Sequence, residues 1–320
     1  MTGLNASGTI AGIASQHAVV WSANDGLQDL GTFGGPTSIV DGINDLGQVV
    51  GCADTGAGAR NAFVGFSGSG IQDIDPDIND TSCAFAVSSN GNVTGQIGDG
   101  KGGSDTFIWS PLGGLQLTGL GNQVHPFSIN DSGAITGYYQ TPTGLNAFFW
   151  TVNGGLEDLG VGVGTSVNKF GQVLGDDLSG RPFLWTHAGG RHLVPQLVHG
   201  WSAVAINDAG QILVRASARS RVLTPAVKIS LTSSANPSQV GQSVTFTANA
   251  ASVQGAPPDG ELIVFKVSNK VLAKVPLVAG SASVTTSTIK AGTHKVTAQY
   301  VGDVNYFASK SAPLNQIVNP

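Results

Sequence analysis

The sequence predicts an all-β chain in two parts, a β-propeller of about six four-stranded blades over residues 1–224 and an immunoglobulin-like β-sandwich over 225–320. Three observations predict it. A short Gly-containing motif returns six times, no window sustains helical periodicity, and near Pro225 the repeat gives way to alternating Ser, Thr, Val and Lys.

The motif reads LNASGTIAG from Leu4, INDLGQVVG from Ile43, VSSNGNVTG from Val87, INDSGAITG from Ile129, VNKFGQVLG from Val167 and INDAGQILV from Ile206. Its first glycines, Gly8, Gly47, Gly91, Gly133, Gly171 and Gly210, are spaced by 39, 44, 42, 38 and 39 residues. A period near forty marks an array in which each unit is one supersecondary element.

Each unit has four apolar runs. The first, such as WSAVAIN or HPFSIN, ends in an Asn-Asp turn in which Gly supplies positive φ. The second follows at once (QVVG, AITGYY, QVLG). The third ends on an aromatic ring and holds Trp21, Trp109, Trp150 and Trp185, while the fourth is of the GLxDLG type, as at Gly26, Gly70 and Gly155. A sheet of four short strands cannot bury its own faces, so units must stack, and radial stacking leaves only short edges exposed. The sixth copy has Val214 where earlier copies keep Gly, and no GLxDLG follows it, so five full blades plus a mixed or incomplete one is the alternative count.

These residues give the first part a resemblance to the extracellular HAF-repeat family, whose slot reads His17-Ala18-Val19, Asn61-Ala62-Phe63 and Asn146-Ala147-Phe148 here. The resemblance implies an exported bacterial protein and transfers no catalytic residue. In the second part, Val244, Phe246 and Ala248 share one strand face, as do Val296, Ala298 and Tyr300, and turn signals divide about ninety residues into about seven strands. NPSQVGQSVTFTA and AGTHKVTAQYVGDVNYFASKSA resemble bacterial Ig-like domains over about 227–318.

Composition narrows the function. Lys+Arg 15 against Asp+Glu 20 gives net charge -5 with 11% charged residues, which argues against a nucleic-acid partner because phosphate neutralisation needs a dense basic surface. No apolar stretch is long enough for a membrane helix. No basic-then-apolar leader is visible, which reads as a truncated start of an exported parent.

Asp29, Asp73 and Asp158 recur in GLxDLG, and Asp45, Asp131 and Asp208 follow turn asparagines; repetition assigns both sets to structure. His187, His192 and His199 match no metal template, and no phosphate loop or nucleophile elbow is present, so neither metal, cofactor nor catalytic residue is assigned. Cys52 and Cys83 fall at one rim of adjacent units, which makes a disulfide feasible, with two free thiols as the alternative. Tyr138, Tyr139 and Trp150 are candidate stacking surfaces for sugars, although strand alternation turns about half of such rings inward.

The function expected is a non-catalytic extracellular module: the propeller binds a polysaccharide or cell-surface protein, the Ig-like domain is a spacer or adhesion element, and the chain is a monomer. The alternative is a secreted lyase or glycosidase using the propeller's central pocket.

Overall fold

The computed structural model describes residues 3–75, 81–98, 101–187, 190–194, 200–217, 219–223, 227–252, 256–257, 259–302 and 308–320. The chain divides into two compact units, one of Met1–Trp185, Leu193–Asp208 and Leu213–Arg221, the other of Thr186–His192, Ala209–Ile212 and Val222–Pro320. The boundary expected between 224 and 225 lies outside the described residues.

All the described regular structure is β. Five successive four-stranded antiparallel sheets cover residues 3–29, 34–73, 82–117, 124–161 and 163–193, and a three-stranded sheet covers 202–223. They are called sheets 1 to 6. Within each, the strands pair in chain order, so each is a meander. The sixth is the incomplete one, and among the described residues no sheet mixes strands from the two ends of the array. Successive first strands lie beside one another, which makes this the propeller-like arrangement that the repeat predicts.

Sheet 4 shows how a unit is built. Val124–Ile129, Ile135–Thr141, Gly144–Thr151 and Gly155–Val161 are its strands. The first turn needs glycine at 133, where φ is 77°, and the same position has φ between 71° and 92° in the other five copies. The second motif glycine has a different cause. The first strand carries a β-bulge between Pro126 and Ser128, which drives the His125 carbonyl against Gly137 so closely that a Cβ there would overlap the oxygen. Gly51, Gly95 and Gly175 meet the carbonyls of Ile39, Cys83 and Val163 across equivalent bulges.

Burial lies between sheets. Successive cores pack sheet 1 on 2, 2 on 3, 3 on 4 and 4 on 5, and Phe63, Phe107, Phe148 and Phe183 are each 0% exposed within them. Sheets 2, 3 and 4 thus each bury one face against the predecessor and the other against the successor, and a single sheet cannot hold its apolar surface alone.

The second unit is a two-sheet sandwich. Lys228–Ser233, Val244–Ala251 and Ser281–Thr286 form one sheet; Ser238–Gln239, Leu314–Asn319, Gly292–Tyr300, Leu262–Val267 and Lys270–Pro276 form the other, joined by Ser309–Lys310. Its core includes Val244, Phe246, Ala248, Val296, Ala298 and Tyr300, the residues picked out by alternation.

Candidate functional site

The motif turns gather at one end of the first strands. There, Val87, Ile129, Val167 and Ile206 floor a cup of about 270 Å³, rimmed by the turn residues that follow them. The rim is already engaged in holding the sheets together. Asn168 Oδ1 accepts from Phe170 N and Gln172 N within its own turn, while its Nδ2 donates across to the Asn207 carbonyl at 3.1 Å. Asn5, Asn44 and Asn130 donate in the same way to the carbonyls of Asn44, Ser88 and Asn168.

The turn aspartates complete this clasp rather than capping their own turns. Asp45, Asp131 and Asp208 each accept a backbone N–H from the preceding sheet, from Ala6, Asn90 and Lys169 respectively, at 2.8 to 2.9 Å. Between sheets 3 and 4, where Ser88 replaces the turn asparagine, Asn90 and Asn92 donate to the Asp131 carbonyl instead.

The GLxDLG aspartates are also structural. Asn61 donates to Asp73, Asn146 to both oxygens of Asp158, and the His17 ring pairs with Asp29 at 2.8 Å. The third-strand position of His17, Asn61 and Asn146 and the GLxDLG carboxylate are therefore two halves of one cross-strand pair. In sheet 3 the carboxylate sits in the slot itself, where Asp105 accepts from Gly119 N. The Gly31 N–H and the His17 ring hold Asp29 below its ordinary pKa.

At the other end of the first strands, Cys52 and Cys83 form a disulfide joining sheet 2 to sheet 3, with Cα atoms 4.8 Å apart. Beside it opens a cavity of about 370 Å³, whose lining includes Arg60, Ser82, Phe85, Gln96 and Ser104. Arg60 is not free to capture an anion, because its Nε donates to Asp54 at 2.8 Å and a terminal nitrogen donates to Thr37. The Arg60 bond, together with the Thr37 hydroxyl, which also donates to Asp54, holds Asp54 below its usual pKa.

Gln96 links this cavity to an aromatic cluster on sheet 4. Its amide lies 3.2 Å from the His125 ring and donates to the Val124 carbonyl. His125 stacks on Tyr138 at 4.7 Å between centroids, and Phe127, 46% exposed, meets Tyr138 edge-on at 5.5 Å. Tyr138 is thus placed on a half-open surface. The other two candidate rings are not. Trp150 is 7% exposed within the core between sheets 3 and 4, so it presents no stacking face. Tyr139 packs against that core, and burial followed by the neighbouring Asp158 carboxylate raises its pKa. Strand alternation separates Tyr138 from Tyr139.

Sequence reading missed Asp41. It is the bulged residue of its first strand, where sheets 3, 4 and 5 carry Phe85, Phe127 and Thr165. Burial pushes its carboxyl above the ordinary value, opposed by the Arg60 charge. Aligning the six copies on their first glycines would have exposed it as the one charged residue in its column. Among the described residues no group of three or more His, Cys, Asp or Glu side chains is placed to hold a metal, and His199 lies outside them.

Comparison with known proteins adds little to the first unit. Among curated proteins none matches. The extracellular domain of a putative one-component system from B. thetaiotaomicron aligns with 99% of this chain and 49% of its own at 10% identity and TM-score 0.43. The chain therefore spans about half the length of that protein. A gluconolactonase from Xanthomonas campestris aligns over 66% of this chain and 80% of its own, at 14% identity and TM-score 0.40. Apo AztD from Citrobacter koseri aligns over 88% and 98%, at 10% identity and TM-score 0.29. What those proteins bind or catalyse stays with them. The second unit gives a definite result: residues 231–319 are matched by the family model of the bacterial Ig-like domain, group 3.

Proposed function

We infer that this chain is a non-catalytic extracellular binding module of a bacterial protein. The propeller-like unit carries the ligand surface, and the Ig-like domain acts as spacer or adhesion element. The observation that carries this reading is the fate of the repeated carboxylates. Asp45, Asp131 and Asp208 tie sheet to sheet, and Asp29, Asp73 and Asp158 tie strand to strand, so the polar signature of the repeat is engaged in the fold. The surface left for recognition is the half-open aromatic cluster of His125, Phe127 and Tyr138, next to a cavity whose guanidinium is already compensated. Aromatic faces flanked by amide and hydroxyl groups suit a neutral polysaccharide, whose sugar rings offer apolar C–H faces and hydroxyl edges.

Asp41 favours a second reading, a secreted lyase or glycosidase, because a half-buried carboxyl with a raised pKa is what a general acid requires. A glycan array probed with the full chain, followed by product analysis on every positive glycan, separates the two. Binding without product, weakened by Tyr138→Ala and unaffected by Asp41→Asn, supports the module. Turnover abolished by Asp41→Asn would replace it with the enzyme.

A further inference from the structure

Charge is divided unevenly along this chain. Residues 1–224 carry 8 Lys and Arg against 17 Asp and Glu, whereas residues 225–320 carry 7 lysines against 3 carboxylates. The Ig-like unit is therefore basic within an acidic chain, and its lysines are not spread evenly over it.

Strand register collects four of them on one face of the larger sheet. Lys274 pairs with Val264, Val264 with Gln299 and Gln299 with Lys310, so these four residues stand in one cross-strand row. Lys266 and Thr297 form the next row, and Lys295 opposite Asn315 the one after. Ile263, Phe265, Val296, Ala298 and Tyr300 alternate with these residues and fill the core, so the rows face outward. Lys266 Nζ donates to Gln299 Oε1 at 3.4 Å, which joins the first two rows. Val264 lies outside the core cluster yet is only 7% exposed, as expected where lysine stems cover an apolar side chain and keep their ammonium groups in water.

Nothing described on this face neutralises the four cations. Among the described residues none of them makes an ion pair. Of the unit's described carboxylates, Asp259 accepts from Ala279 N at 2.7 Å in a loop, and Glu261 alternates to the side of Ile263. The outer face of the smaller sheet has another character: Thr232, Thr247 and Ser283 form one row, Thr245 and Thr285 the next, and Lys228 is its single charged residue among those described.

We propose that the lysine face is a docking surface for an acidic polysaccharide, a polymer whose sugar rings carry carboxylates. The proposal rests on the adhesion role given to the Ig-like domain and assigns that role a ligand. Charge complementarity carries it, because four unpaired ammonium groups on one face attract a polyanion. Strands spaced by about 4.8 Å set Lys274 and Lys310 roughly 14 Å apart, the reach of a polymer segment rather than of one small anion. Lysine is a point charge that pairs with a carboxylate without fixing one orientation. Between the lysines, Gln299, Thr297 and Asn315 offer amide and hydroxyl groups to sugar hydroxyls. No aromatic ring stands in these rows, as stacking on nucleic-acid bases requires.

Isothermal titration calorimetry of the full chain with polygalacturonate tests the proposal. The expected result is binding that weakens on the order of tenfold between about 50 and 200 mM salt, the signature of a few ionic contacts. Lys274→Gln combined with Lys310→Gln should weaken it by about tenfold at the lower salt. Lys228→Glu changes the net charge by the same amount on the other sheet and should weaken it by less than about twofold. No binding up to ~100 µM chain, a double variant that binds as tightly as the parent, or an equal loss from Lys228→Glu overturns the proposal. Phosphatidylglycerol vesicles or double-stranded DNA bound as tightly as polygalacturonate overturn it too. Neutral-glycan binding is read separately through Tyr138→Ala, so failure of either reading leaves the other standing.

Discussion

Replacing Asn168 by Ala removes the clasp between sheets 5 and 6 at its centre. Its side chain makes four hydrogen bonds, to Gln172 Oε1 at 2.7 Å, the Asn207 carbonyl at 3.1 Å, and from Phe170 N and Gln172 N at 3.1 Å each. Asn168 is 3% exposed and Gln172 9%, so water cannot take over the two Gln172 partners, whereas Phe170 and Asn207 are exposed and rehydrate. Losing Asn168 at those two buried groups, at about 1 kcal/mol each, gives a loss of about 2 kcal/mol, roughly thirtyfold in the folding equilibrium. Asn168→Ser imitates the natural Ser88, whose hydroxyl accepts from Asn92 N at 3.0 Å but does not reach the next sheet. It keeps one turn acceptor, loses the inter-sheet bond, and should cost about half as much. All five tryptophans lie at or before Trp201, so guanidinium unfolding followed by tryptophan fluorescence reports on the first unit without the Ig-like domain. A loss below about 0.5 kcal/mol for the alanine variant, within the range of ordinary surface changes, would refute the clasp; equal losses for Ala and Ser would refute its turn part, and a Ser variant as stable as the parent would refute its inter-sheet part.

Three further outcomes follow from the same structure. Gly137→Ala places a methyl group against the His125 carbonyl and should cost about 3 kcal/mol or more, whereas Gly133→Ala has only Ile108 Cδ1 at 3.9 Å and should cost about 1–2 kcal/mol for its positive φ; denaturant midpoints give the order. Cys83→Ser opens a link spanning 31 residues and should lower stability by roughly 3–4 kcal/mol on the loop-entropy estimate, read by thermal unfolding with and without reductant. Asp41→Asn tests pH linkage. A raised folded pKa means that the native state holds a proton the unfolded chain has lost, so stability falls as pH rises from the ordinary carboxyl value of 3.8 through the folded value. The Asn variant should lack this fall and be the more stable protein at neutral pH. The opposite sign applies to Asp54, whose contribution is lost as pH falls through its depressed value, so Asp54→Asn should lose its deficit in acid.

Local chemistry was legible in the sequence and neighbour contacts were not. Gly133 announces its turn because positive φ is a property of one residue, and Val244, Phe246 and Ala248 announce their buried face because strand alternation is local. Gly137 recurs just as faithfully, but its cause is a carbonyl brought close by a bulge in the adjacent strand. Asp131 read as a turn residue, yet its partner is Asn90, forty-one positions earlier in another sheet. Tryptophan in the third strand shows the limit most clearly. Trp21 and Trp150 occupy one slot of the repeat and differ from 41% to 7% exposed, because burial at that slot depends on the sheet packed against it.

The bond between Cys52 and Cys83 has a mechanical meaning as well as a thermodynamic one. If the two ends of the chain are pulled apart, the 31-residue span closed by the bond is shielded from the load, hiding roughly 100 Å of extended backbone. Reduction releases that length. A single-molecule trace would then show a longer final extension after reductant, and the difference would measure the covalent shortcut directly.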